Sequence, residues 1–187
     1  MINVNSEIGL LQKVIIHRPD EGIARISPKK AEELLFDDIV HLPQMKIEHD
    51  IFRKVLQMLI GKENVLDTET LIIEGFEHSP EIKDELIDKI VDYEELPQST
   101  KAFFMSLSPE SLTKLLISGY YQDDDHIYFD PIPNFIFTRD IAIVVKDHVI
   151  ISKAAKSARF RENLLTRFIF YANPLFKGLN DQGKIIN

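Results

Sequence analysis

A helical segment in the middle of the chain lies between two regions that contain predicted strands, and this arrangement indicates a mixed α+β fold. The segment runs from about residue 79 to residue 119, and Ser79-Pro80-Glu81 and Ser108-Pro109-Glu110 each begin a helix within it. Each motif supplies a cap, a proline at the first helical position and a carboxylate near the positive helix end. We therefore predict a small helical subdomain at 79–119, inserted into a β-containing domain.

The region before this segment contains one predicted strand and one predicted long helix. Gln12–Arg18 contains a run of β-branched residues and ends at Pro19, as expected for a strand buried on both faces. Ser27-Pro28 is typical of a helix start. From Pro43 to Leu59 apolar residues recur every four positions, and Gly61 is a suitable stop. The apolar positions of this helix are Ile47, Ile51, Val55 and Leu59.

The region after the helical segment is richer in β-forming residues. Phe135–Phe137 and Ile141–Val145 are followed by the turn-like Lys146–His148 and then by Val149–Ile151. Two β-rich runs with a short polar connection predict a hairpin. Ala155–Tyr171 returns to the composition of a helix.

The stretch Asp130–Asp140 carries the residues with the clearest chemical potential. Its two prolines and Asn134 predict a stiff turn, after which a strand would deliver Thr138, Arg139 and Asp140. Adjacent strand residues point to opposite faces, so ordinary surface ion pairs would explain the two charges. Alternatively, Asp140 stands in a pocket as a bidentate acceptor for a planar guanidinium. The residues of this stretch alone leave both interpretations open.

The same stretch also carries a resemblance to a known family. Pro133-Asn134-x-x-Phe137-Thr138-Arg139-Asp140 resembles the signature of the arginine deiminases, within the guanidino-group-modifying superfamily. Other blocks of the chain are also similar to that family, and with this signature they occur in the same order as in its members and span nearly the whole chain. They are Ser6–Gly9, Val14–Pro19, Leu34–Asp38 and Glu48–Phe52 before the signature, and Ala158–Glu162 after it.

The resemblance implies a pentein-like fold, in which ββαβ modules form a propeller with pseudo-fivefold symmetry. Residues 1–187 would be the N-terminal part of such a propeller and would hold its first modules, not the closed ring. The helical segment at 79–119 falls where the deiminases carry an insertion that their smaller relatives lack.

The resemblance also implies roles for five residues. Asp140 matches the carboxylate that grips the substrate guanidinium, so it is the candidate catalytic residue. Asn134 and Arg159 match residues that hold the amino-acid end of the substrate, and Phe137 matches one that packs along its aliphatic stem. Leu35 lies in a block that approaches the site, but a core leucine explains it equally well.

The activity implied by the resemblance is hydrolysis of arginine to citrulline and ammonia through a cysteine-bound intermediate. The 187 residues contain no cysteine, so the nucleophile would have to lie beyond them and the chain by itself would be inactive. One alternative is a short non-catalytic homologue that acts as a binding or self-associating module. Another is a related activity, amidino transfer or hydrolysis of methylated arginine.

Charge and the remaining motifs limit the partners. A formal net charge of −8 argues against non-specific binding to nucleic acid or to anionic membrane. Neither a secretion signal nor an apolar run of about 20 residues occurs, so we expect a cytoplasmic protein. We expect a guanidino compound as a small-molecule substrate, no cofactor and no metal, and a homo-oligomer is possible.

Four other polar residues are interpreted as structural. His17 and His49 are structural histidines, with the ring of His49 hydrogen-bonded, and Arg161 pairs with Glu162 on the surface.

Overall fold

Helices form most of this α+β structure, and the strands form three small sheets. The computed structural model describes residues 2–36 and 40–187, so Asp37 and Asp38 of the Leu34–Asp38 block lie outside the described residues. The helices are α1 (Glu21–Ala24), α2 (Leu42–Ile60), α3 (Thr68–His78), α4 (Pro80–Tyr93), α5 (Gln98–Ser106), α6 (Pro109–Ser118), α7 (Thr138–Ile141), α8 (Phe160–Ala172) and α9 (Lys177–Asp181). The strands are β1 (Val14–Ile16), β2 (Val65–Asp67), β3 (Tyr120–Tyr121), β4 (His126–Ile127), β5 (Ala142–Val145), β6 (His148–Ile151) and β7 (Ile185–Ile186).

The sheets are short, and within residues 2–36 and 40–187 none of them closes into a barrel. β1 pairs in parallel with β2, with Val14 opposite Val65, and α2 lies in the connection between them. β3 and β4 form a small antiparallel pair. β5 and β6 form an antiparallel hairpin, to which β7 adds in parallel along β6. The predicted α+β class and the predicted hairpin are confirmed, while the propeller stays a prediction.

The main hydrophobic core lies among α3, α4, α6 and α8. The rings of Phe76 and Phe168 pack with their centroids 4.6 Å apart where α3 meets α8. A Cβ on Gly75 would lie 2.7 Å from the ring of Phe168, so this close approach of the two helices requires glycine. The predicted helices of the 79–119 segment are present as α4, α5 and α6, and their buried residues share one core with α8.

Two predictions of local structure are wrong. Phe135–Phe137 is not a strand, because Pro133–Ile136 forms a 3₁₀ turn and α7 follows it directly, so Asp140 lies in a helical turn and not at a strand end. The 3₁₀ turn buries Phe135 completely, and the hydroxyl of Thr138 donates to the carbonyl of Ile15, which holds α7 against β1. These long-range contacts outweigh the β propensity of the phenylalanines.

The helix predicted to start at Ser27-Pro28 is also absent, and hydrogen-bonded turns occupy residues 28–35 instead. Leu35 has a φ of 57°, which a right-handed helix excludes. The helix predicted from Pro43 to Leu59 is confirmed as α2, which ends at Gly61 as expected. Within the part of the chain that the structure describes, no helix combines the length and the hydropathy that a membrane crossing needs.

Candidate functional site

Asp140, Arg159 and Glu162 form a continuous chain of charged contacts at the start of α8. Nη1 of Arg159 donates to Oδ2 of Asp140 at 3.0 Å, and Nε of the same arginine donates to Oε2 of Glu162 at 2.8 Å. The side chain of Asp140 is 50% exposed, whereas that of Arg159 is only 20% exposed. Asp140 is therefore the outermost member, and it can accept further hydrogen bonds from solvent or from a ligand.

Glu162 is the buried member of this series of charged contacts. Its side chain is 1% exposed, and burial raises its pKa to about 7 even though the contact with Arg159 acts in the opposite direction. Its second oxygen, Oε1, is buried and has no hydrogen-bond partner among the described residues. Burial alone would lower the pKa of Arg159, but the contacts with Glu162 and Asp140 outweigh it and raise that pKa. Arg159 is therefore held as a cation between two acidic groups.

Asn134 joins the 3₁₀ turn to the turns that carry Leu35. Its side chain is buried, and Nδ2 donates to the carbonyl of Leu34 at 2.6 Å. Leu35, the next residue, has a positive φ and is exposed. The amide of Asn134 thus holds the segment that presents Leu35, so its donor group is already engaged within the protein.

Phe137 presents an aromatic surface at the same place. It caps the N-terminus of α7, its ring is about half exposed, and it stacks on Phe36 with the ring centroids 6.3 Å apart. Because Phe36 belongs to the small buried cluster that also contains Leu34, the aromatic ring rests on the segment that Asn134 holds. One side of the Phe137 ring is thus packed, and the rest of its apolar surface is free for contact.

The five predicted residues thus fall into two linked groups, with α7 between them. The first group lies on the N-terminal side of α7 and contains Leu35, Asn134 and Phe137. Contacts with Leu34 and Phe36 join its members. The second group is the pair of Asp140, in α7 itself, and Arg159. A cavity of about 170 Å³ on the Leu34 side is lined by Asp130 and Arg161 among others, and by none of the five. Leu35, Phe137 and Asp140 are exposed to solvent, Arg159 is partly buried and Asn134 is buried. The roles of all five stay predictions.

The prediction of a surface pair between Arg161 and Glu162 is wrong, because both side chains are buried and they have different partners. Arg161 donates to the carbonyls of Leu116 and Asp130 and pairs with Glu94, and its complete burial lowers its pKa. Glu162 pairs instead with Arg159. The i,i+3 spacing of Arg159 and Glu162 at a helix start was the sequence signal for this second pair.

The two histidines lie away from these residues. Nδ1 of His17 lies 2.6 Å from the hydroxyl of Thr68 and Nε2 lies 3.0 Å from Asp20, which agrees with a structural role. Burial would lower the pKa of His17, but Asp20 outweighs it and raises that pKa. His17, Asp20 and Glu69 place potential metal-ligand atoms within 4.8 Å of one another, although both ring nitrogens of His17 are already hydrogen-bonded. His49 is not satisfied as predicted, because its buried Nδ1 has no partner among the described residues.

Comparison with known proteins gives one consistent family. The family model described as arginine deiminase matches residues 32–120 and 104–184. The arginine deiminase of Bacillus cytotoxicus is 34% identical over 200 residues, which cover 96% of this chain and 48% of the relative. Those of Listeria innocua serovar 6a and Rhodococcus erythropolis are 34% and 33% identical and cover 94% and 95% of this chain. The chain spans about half the length of the curated relatives it matches.

Proposed function

Because this chain belongs to the arginine deiminase family, we propose that it supplies the guanidinium-binding side of a hydrolase that converts arginine to citrulline and ammonia. The relatives described above carry the name arginine deiminase, which favours this activity over amidino transfer or hydrolysis of methylated arginine. The match covers about half the length of those relatives, so we propose that the complete activity also needs polypeptide corresponding to the rest, placed after this chain as a second half.

The observation that carries the proposal is the state of Asp140. It is a half-exposed carboxylate that already accepts a hydrogen bond from a guanidinium, that of Arg159. A carboxylate has about four acceptor positions, so Asp140 could also accept from the guanidinium of a bound arginine. Such charge-assisted bonds are strong and directional, and they would orient the guanidinium plane.

The other residues complete the proposed binding side. Phe137 would contact the aliphatic stem of the substrate, and Leu35 would contact it from the facing turn. Arg159 would attract the substrate carboxylate as its positively charged partner, while Asn134 would keep the Leu35 turn in place through Leu34. The buried Glu162 would hold Arg159 in position through the 2.8 Å contact.

The covalent step requires a cysteine that this sequence does not contain. A thiolate would attack the central guanidinium carbon, and the bond from that carbon to one terminal nitrogen would break. That nitrogen would take up a proton and leave as ammonia. Water would then attack the same carbon and lose two protons, one replacing the proton given to the leaving nitrogen and one converting ammonia to ammonium. The carbon–sulfur bond would break, and citrulline would be released with the thiolate restored. The role of Asp140 is to hold the guanidinium while its charge is redistributed.

The proposed fold of the complete enzyme is the pentein propeller, of which these residues would form the first modules and the helical insertion. The open, two-stranded β1–β2 sheet supports this proposal, because a sheet of this size needs further strands or packing to be stable. We also propose a cytoplasmic location.

The test is a fusion of this chain to the part of the Bacillus cytotoxicus arginine deiminase that lies beyond the matched region, assayed for citrulline from arginine. We expect the fusion to produce citrulline and the 187-residue chain alone to produce none. Asp140→Ala in the fusion should lower turnover by at least about 1,000-fold, a loss of roughly 4 kcal/mol of transition-state stabilisation, without loss of folding.

The matched control is Asp181→Asn, which removes an exposed carboxylate from α9 and should leave turnover unchanged. Retained activity in the Asp140→Ala fusion would reject the guanidinium role. Citrulline production by the isolated chain would reject the requirement for a second half.

A further inference from the structure

Helix α2 is amphipathic in the unexpected direction, because its apolar face points to solvent. The stripe that the sequence predicts to be buried is exposed, and Met58 and Leu59 are 86% and 75% exposed. With 100° between successive residues, the exposed apolar side chains fall within about 140° of the helix circumference. They define the apolar face of α2 and are Ile47, Ile51, Phe52, Val55, Met58 and Leu59.

Polar contacts hold α2 in this orientation. Arg18, at the end of β1, donates from Nε and Nη2 to the two carboxylate oxygens of Asp50 at 2.7 and 2.8 Å. Lys46 pairs with Glu21 of α1 at 2.9 Å. Nδ1 of His49 and Nε of Arg53 are buried on the inner side of the same helix. The polar side of α2 therefore packs on this chain, and its apolar face has no cover among the described residues.

The sheet beside α2 is incomplete in the same region. β1 and β2 form a two-stranded parallel sheet, whereas parallel sheets normally have more strands and are covered on both faces. The segment before β1 also exposes apolar side chains, with Ile8 and Leu10 more than 90% exposed. An exposed apolar surface of this extent is rare on a protein that has no partner for it.

We propose that the apolar face of α2 is the docking surface for the second half of a deiminase chain, in the same polypeptide or as a separate one. The inference rests on the proposed function and names the partner that completes its site. The relatives extend over about twice the matched length, so each has polypeptide of similar size outside the matched region.

The position of α2 links this docking surface to the candidate site. Met45, near the start of α2, packs against the small core cluster that also contains Leu34 and Phe36, and Ile136 packs against the same cluster. Phe36 in turn stacks on Phe137. The start of α2 therefore lies next to the elements that present Leu35 and Phe137, so a partner on the apolar face would have one end near the candidate site.

The experiment measures the accessibility of α2 and does not depend on catalysis. The chain has no cysteine, so Met58→Cys introduces the only thiol into the 187 residues without removing a buried contact. Its rate of reaction with a maleimide would be measured in the isolated chain and in the fusion to the second half of the Bacillus cytotoxicus enzyme, with the modified site identified by peptide mass mapping. Glu85→Cys is the matched control, because Glu85 is 71% exposed on α4.

We expect the Met58→Cys thiol to react at least tenfold more slowly in the fusion than in the isolated chain, and the Glu85→Cys thiol to react equally in both. If the Met58→Cys thiol reacts as fast in the fusion as in the isolated chain, like the Glu85→Cys control, the proposal is overturned. Protection in the isolated chain that increases with protein concentration would also overturn it, since a second copy would then be the occupant. Protection in a fusion that forms no citrulline would uphold the docking surface while rejecting the proposed function.

Discussion

The guanidinium of Arg159 is in direct contact with the carboxylate of Asp140, with Nη1 donating to Oδ2 at 3.0 Å. The residue proposed to receive the substrate guanidinium therefore already binds a guanidinium of the protein itself. Since Nε of Arg159 is fixed by Glu162, Arg159 can keep its position while Asp140 accepts further bonds. The contact between Asp140 and Arg159 would thus join the group proposed to bind the guanidinium of arginine to the group proposed to bind its carboxylate.

Replacement of Arg159 by Ala should mainly weaken substrate binding. The arginine would lose a charge-assisted partner for its carboxylate, which is worth about 1.5–3 kcal/mol, so KM of the fusion for arginine should rise by roughly 10- to 100-fold. The turnover number should change less. Steady-state kinetics of citrulline formation gives both values. Lys153→Ala, at an exposed position between β6 and α8, is the control; an unchanged KM in the Arg159 variant would refute its binding role.

Glu162→Gln should flatten the pH dependence of stability near neutrality. The pKa of Glu162 is about 7 in the folded protein against 4.5 in the reference state, so the folded chain binds the proton more tightly. Stability is therefore greatest below pH 4.5 for this group and falls as the pH rises to about 7. The loss is roughly 3 kcal/mol in the wild-type chain.

The check for Glu162 is urea denaturation of both proteins at several pH values from 5 to 8. The difference between their free energies of unfolding should change in favour of the glutamine variant as the pH rises, since glutamine does not titrate. If the free energies of unfolding of the two proteins change in parallel with pH over this range, Glu162 does not bind the expected proton.

Asn134→Ala should lower stability before any effect on substrate is considered. The variant leaves the carbonyl of Leu34 without its side-chain donor, a loss of about 1–3 kcal/mol for a buried group. Thermal and urea denaturation of the 187-residue chain measure this loss. Asn5→Ala, which removes an exposed amide that donates to Oδ1 of Asn3, should have no comparable effect. Equal stabilities of the two variants would contradict the positioning of the Leu35 turn by Asn134.

Gly119→Ala should be among the most destabilising single substitutions in the chain. Gly119 ends α6 with a φ of 72°, and an added Cβ would lie 1.9 Å from the carbonyl oxygen of Phe129. We expect a loss on the order of 3 kcal/mol or more. Gly178→Ala in α9 is the matched control, because its Cβ meets no atom within 4 Å, and it should be neutral or slightly stabilising. Similar melting temperatures for the two variants would disprove the role of this turn.

Much of the helical structure follows from local sequence. Ser108-Pro109-Glu110 predicted the start of α6, and the hydroxyl of Ser108 does accept from the amide of Ser111. The same motif at Ser79 also begins a helix, but the Ser79 hydroxyl donates instead to the carbonyl of Ala172 on α8. The start of the helix was predictable because it depends on neighbouring residues, whereas the partner of the hydroxyl depends on where α8 packs.

The candidate site shows the same division between local and distant causes. The Pro133–Asp140 signature, together with the other blocks in the same order along the chain, indicated a family, and the comparisons confirm that family. The sequence did not reveal that Phe135–Phe137 would form a turn, or that Glu162 would be buried and bound to Arg159. These features arise from the packing of α7 against β1 and of α8 against the main core.

The sequence alone therefore determined the α+β class, the extent of α2, the helices of the middle segment, the hairpin and the family. Only the tertiary structure decided which face of α2 is covered, and that Asn134 binds a carbonyl 100 residues away in the chain. The physical reason is that backbone periodicity and capping act over a few residues, whereas burial is set by contacts between distant segments. The apolar stripe of α2 follows from the sequence, but the contacts of Arg18 with Asp50 and of Lys46 with Glu21 turn it to solvent, and helical periodicity does not reveal that orientation.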